Sequence, residues 1–116
     1  MSTRSLISIR NDDYTFDAVY CHFDGYETGV GSKLSLYYKT SEIVRELISL
    51  GDMSCLGDTL DTCEFYTRRG EALHIYKNLT QHQLTEKALA AGCEYLYIFG
   101  QFTLDDEYKW ACMELV

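Results

Sequence analysis

Thr40-Ser41-Glu42-Ile43-Val44-Arg45-Glu46-Leu47-Ile48-Ser49-Leu50-Gly51 is the stretch on which the fold turns. Ile43, Val44, Leu47, Ile48 and Leu50 recur at helical spacing, so the segment reads as an amphipathic helix, Ser41 to Leu50, with one face to bury. Thr40 supplies an N-cap oxygen and Gly51 a stop. The residues before the helix offer a surface for that face. Leu6 to Arg10 and Phe16 to Phe23 alternate in strand fashion around the turn-rich Asn11-Asp12-Asp13 and predict an N-terminal hairpin. Gly25 to Gly31 then reads as a glycine-punctuated loop in which Gly29 and Gly31 supply positive φ. Ser32 at its end can cap a short helix reaching about Lys39.

Working outward in the other direction, residues 52 to 61 carry Gly-Asp turns and read as loop. Cys63 to Thr67 reads as a strand, Arg69-Gly70 as a turn and Leu73 to Tyr76 as a further short strand. Thr80-Gln81-His82-Gln83 has capping-box spacing, and the alanine-rich run behind it ends at Ala91-Gly92, which gives a second full helix. Cys93 to Phe99 and Glu107 to Leu115 form a terminal hairpin around Asp105-Asp106. The order of strands, helices, strands, helix and strands predicts an α+β fold with one mainly antiparallel sheet and two or three helices packed on one face. Without repeat, linker or low-complexity stretch, residues 1–116 read as a single α+β domain. A chain of this mass buries about two-thirds of its unfolded surface, enough for a core without staples.

The pleat assigns faces. Ile7, Ile9, Val19, Cys21, Phe23, Leu96, Ile98, Ala111 and Met113 can share an aliphatic face for the helices to cover. Phe16, Tyr20, Tyr95, Tyr97, Phe99, Tyr108 and Trp110 then gather on the opposite face, an aromatic set with polar tips that can meet a partner.

Ten Lys and Arg against 18 Asp and Glu give a net charge of −8, which repels phosphate backbones and argues against direct nucleic-acid binding while favouring a basic partner surface. Cys21, Cys55, Cys63, Cys93 and Cys112 are odd in number and contain no C-x-x-C, so neither a disulfide framework nor a zinc site is implied. Reduced thiols fit a cytoplasm. No apolar run is long enough for a bilayer span or a signal segment, so no membrane association is expected and the Asn78-Leu79-Thr80 sequon is expected to stay unmodified. Ten tyrosines are the compositional oddity.

The densest chemical constellation is Tyr20-Cys21-His22-Phe23-Asp24-Gly25-Tyr26. His22 and Asp24 lie two apart and can project to one side as a general-base pair; the competing reading is an Asx-type turn at Asp24-Gly25 with His22 bonded to nearby backbone. The glycines before the Ser32 helix lack both the G-x-G-x-x-G spacing and a Walker lysine, and Glu27 repels phosphate. Asp58, Asp61 and Glu64, or Asp105, Asp106 and Glu107, fit no EF-hand loop. Arg68 and Arg69 are an isolated basic pair in an acidic chain, which surface ion pairing with carboxylates explains. No catalytic residue, metal or cofactor is assigned. The residues expected to contact a partner are Tyr95, Tyr97, Tyr108, Trp110, Asp105, Asp106, Tyr20, Asp24 and Tyr26.

At Ser2-Thr3-Arg4-Ser5, at Tyr20 to Tyr26 followed by Gly29-Val30-Gly31, and at Arg45 to Asp52, the chain resembles a family of small uncharacterised phage and prophage proteins. The likeness continues more weakly through Thr67 to Glu71 and Glu94 to Phe99. Phe23 stands where a Trp is common in that family, and residues 53 to 72 are shorter than its pattern. The resemblance implies a phage-type setting, hence the cytoplasm of a bacterial host, and brings no activity. Together with the charge it makes the leading expectation a non-enzymatic acidic protein that binds and inhibits a host protein, as anti-CRISPR and other anti-defence factors do, by occupying a basic nucleic-acid-binding surface. The alternatives are a small-ligand or nucleotide-related enzyme using His22, Asp24 and the glycine loop, and a structural or accessory phage protein. A homodimer is compatible with each.

Overall fold

The computed structural model describes residues 2–104 and 107–115. Seven strands form one mostly antiparallel sheet in an α+β fold: β1 Ser5–Arg10, β2 Phe16–Cys21, β3 Met53–Cys55, β4 Glu64–Phe65, β5 Tyr76–Leu79, β6 Tyr95–Gly100 and β7 Lys109–Glu114. The strand path runs β4-β3-β2-β1-β6-β7, with β5 pairing beside β3 on β2. The expected pairs β1-β2 and β6-β7 both form, the first around Asn11-Asp12-Asp13; the Asp105-Asp106 turn expected for the second lies outside the described residues. The two hairpins join through a parallel β1-β6 pair in the register Ile7↔Tyr97 and Ile9↔Phe99.

That register corrects the face assignment. Ile7, Ile9, Val19 and Cys21 lie with Tyr97 and Phe99 in one core, whereas Leu6, Phe16 and Ala18 lie with Leu96 and Ile98 in another. The terminal hairpin is therefore turned over relative to the expected arrangement, because a one-residue change of register moves every side chain to the opposite face. Both faces need a cover, and the helices divide between them instead of packing on one face. Helices α1 (Ser32–Tyr37) and α2 (Ser41–Ser49) bring Leu34, Val44, Leu47 and Ile48 to the first core; α3 (Gln81–Ala90) brings Leu84 and Ala88 to the second.

Both full helices start as their sequences direct. Thr40 Oγ1 accepts from the Ile43 N–H at 3.3 Å. Thr80 and Gln83 exchange hydrogen bonds of 3.2 and 2.9 Å in a reciprocal capping box. Several local expectations change: the strand expected over Cys63 to Thr67 is only Glu64–Phe65, followed by a 3-10 turn at Tyr66–Arg69. The supposed loop after Gly51 contains β3, whose Met53 and Ser54 carbonyls accept from the His22 and Phe23 N–H groups. The strand expected at Leu73 to Tyr76 forms three residues later, at Tyr76–Leu79.

The Gly25 to Gly31 segment is also more ordered than a loop. Glu27–Gly31 makes a π-helical turn that runs directly into α1. The left-handed residue here is Asp24, at φ 58°. Gly29 is required by closeness, since a Cβ there would stand 2.3 Å from the Asp24 carbonyl oxygen.

Candidate functional site

The β6-β7 hairpin sets Tyr97 opposite Cys112 and Phe99 opposite Trp110, all facing α1. Tyr97 is only 2% exposed, and its hydroxyl donates to the Gly25 carbonyl at 2.7 Å, pinning the start of the glycine segment to the sheet. Burial pushes that hydroxyl's pKa well above the usual tyrosine value. The half-buried Trp110 donates from Nε1 to the Tyr38 carbonyl at 2.8 Å, tying β7 to the end of α1. Phe99 is packed between Trp110, edge-on at 5.1 Å, and Tyr108, stacked at 6.0 Å.

Between the π turn, α1 and β7 lies an open groove of about 400 Å³, lined among others by Glu27, Ser32, Ser35, Leu36, Trp110 and Cys112. The Cys112 thiol sits 3.7 Å from Glu27 Oε1, and partial burial together with the Glu27 charge raises its pKa. At the adjoining end of the sheet, Glu94, Tyr95 and Glu114 line a second hollow with Thr3 and Tyr26. Desolvation and the charges of Glu114 and Glu27, with Glu94 beyond them, raise the pKa of Tyr95.

The outer edge of β7 borders this groove. The Leu115 N–H donates to the Glu94 carbonyl at 2.8 Å, and the pairing continues as Leu96↔Met113 and Ile98↔Ala111. Antiparallel alternation therefore turns odd-numbered residues of β7 toward β6, and the backbone N–H and C=O groups of Trp110, Cys112 and Glu114 outward.

The residues expected to form one contact surface are spread over the molecule. Tyr97 is interior, Trp110 is half-buried in the groove and Tyr95 half-buried in the second hollow; Tyr108 is 52% exposed and lines a separate hollow with Arg10, Asn11 and Tyr14. Tyr20 lies on the opposite face, packed against the α3 core. Asp24 and Tyr26 are exposed and bonded to each other, the Tyr26 hydroxyl donating to Asp24 Oδ1 at 3.1 Å. Asp105 and Asp106 lie outside the described residues. Glu27, Ser32, Ser35 and Cys112 were missed. Alternation with Trp110 along β7 is a signal for Cys112 and none for Glu27, Ser32 or Ser35.

The His22 constellation takes neither form considered for it. The ring lies between two hydroxyls, with Tyr20 OH 2.7 Å from Nδ1 and Ser2 Oγ 3.0 Å from Nε2. A neutral imidazole donates to one of these and accepts from the other. Asp52 joins the neighbouring strands, accepting the Tyr20 N–H at 2.8 Å and lying 2.7 Å from His74 Nδ1. All five cysteines are free, and among the described residues no group of three or more His, Cys, Asp or Glu side chains is placed to hold a metal ion. Among the same residues no helix is long and apolar enough to cross a membrane. The chain matches no protein-family model, no curated protein and no solved structure.

Proposed function

We propose that this protein acts by binding: it is a non-enzymatic, acidic inhibitor that occupies a basic, nucleic-acid-binding surface of a bacterial host protein, as phage anti-defence factors do. The supporting observation is the end of the sheet at β7, where Glu27 lines the groove with the half-buried Trp110 ring, and Glu94 and Glu114 line the adjoining hollow with Tyr95. Rigid aromatic groups with carboxylates around them suit an interface with a cationic surface, the charges acting mainly on encounter. The net charge of −8 and the resemblance to phage and prophage proteins agree with this. The Asp24 carboxylate is bonded to Tyr26 and the His22 ring is held by Tyr20 and Ser2, which favours the binding reading over the enzymatic alternative.

Capture from host lysate at low and moderate salt, with heparin as competitor, tests the reading. The expected result is one discrete basic protein, retained at low salt and displaced by heparin. Retention of acidic or neutral proteins alone contradicts it.

A further inference from the structure

We infer that the partner is held by strand addition: an extended, basic segment of another protein pairs with the outer edge of β7. This rests on the binding reading above and names its mode. Among the described residues no strand pairs with this edge, so the outward N–H and C=O groups of Trp110, Cys112 and Glu114 present an unextended ladder that an added strand satisfies through main-chain bonds. Side chains of that strand alternate between two environments. Those on the groove side meet Glu27, Glu114 and the Trp110 ring, which select lysine or arginine by charge and by cation–π contact. Those on the other side meet Ala111 and Met113, the latter 39% exposed, and select apolar groups. The recognised pattern is thus cationic and apolar in alternation.

A second copy of this chain fits the edge less well. A two-fold axis at β7 gathers Glu27 and Glu114 of both copies along one seam, in a chain that already carries −8. The partner's positive charge removes that conflict.

The probe is a blocked hexapeptide of alternating lysine and valine, compared with the same peptide N-methylated at the amides that would face β7. Amide hydrogen exchange of the full chain is read with each. With the unmodified peptide, exchange at Trp110, Cys112 and Glu114 should slow about tenfold or more, with no change at Phe65. The E27Q/E114Q variant should bind that peptide about fivefold more weakly. Equal binding of both peptides without protection at β7 overturns strand addition and leaves a charge-driven partner standing. Failure of both peptides to bind at low salt overturns the basic-partner reading with it. A sedimenting dimer whose β7 amides are already protected gives the edge to a second copy and also overturns the proposal.

Discussion

The sheet ends differently on its two sides. At β4 the edge strand has two residues and is clamped: Arg68 donates to the carbonyls of Cys63, Leu60 and Asp61 and lies over the Phe65 ring at 4.9 Å. Arg69 holds Ser54 Oγ at 3.0 Å from the same turn. At β7 the edge has six residues, and every second backbone unit points out beside a groove. Sheets blunt the edges they do not use, by shortness, charge and covering loops. The β4 edge is managed in that way, the third edge strand, β5, is four residues long and broken from regular extension by Asn78 at φ 55°, and the β7 edge is left long, which is why binding is placed at β7.

The largest effect that could break this contrast is on stability. Phe65 is 1% exposed within the first core, so Phe65→Ala should cost about 3–5 kcal/mol. Met113→Ala at the open edge should stay within about 0.5 kcal/mol. Denaturant unfolding of the two variants checks both, and equal losses would make β7 as integral as β4.

Alkali comes next. Burial pushes Cys21, which pairs with β3 on the clamped side, up to about 12, and Cys93 likewise up to about 12. Both thiols stay protonated in the fold while the unfolded chain ionises near pH 9. Their contribution is therefore intact below about pH 9 and is lost as pH rises from there toward 12. The slope from Cys21 is about 1.4 kcal/mol per pH unit, and Cys93 and the buried hydroxyls of Tyr38 and Tyr97 act in the same direction. Unfolding followed against pH should show this decline, and Cys21→Ala should flatten it.

Smaller again is the clamp itself. Arg68→Ala should cost about 1–2 kcal/mol through the bonds to three carbonyls, and Arg68→Lys should recover only part of it, because a point charge cannot repeat the fork. A melt indistinguishable from the native chain would remove the clamp from the comparison. Smallest in energy is thiol access: a maleimide should modify Cys112 in the folded protein and reach the buried Cys21, Cys63 and Cys93 only on unfolding. Mass spectrometry of the labelled chain decides this.

Local signals in the sequence were strong wherever one residue type does one job. Thr40, Thr80, Gln83, Gly51 and Gly92 fix the helix ends, and Asn11-Asp12-Asp13 fixes the first hairpin. What they leave open is how the two hairpins meet. Tyr95 to Phe99 is apolar at every position, so alternation within it cannot say which set joins Ile7. The same run, read as a strand buried on both faces, would have called for helices on both sides. β3 escaped for a related reason: Met53-Ser54-Cys55 is three residues long, and its place comes from parallel pairing with Cys21 across a long separation. At the site, Tyr95 and Trp110 were legible as aromatic residues on an exposed hairpin. Glu27, Ser32 and Ser35 were not, because their approach to β7 depends on the Tyr97–Gly25 and Trp110–Tyr38 bonds made after the chain has folded.

The contrast between a closed and an open edge is tested most directly by residue-resolved amide hydrogen exchange of the protein alone. Exchange should alternate along β7, slow at Ala111 and Met113 and fast at Trp110, Cys112 and Glu114, while Tyr66 beside β4, bonded to the Asp52 carbonyl at 3.1 Å, is slow. Uniformly slow exchange from Trp110 to Glu114 would show that β7 is already covered, and would contradict that contrast.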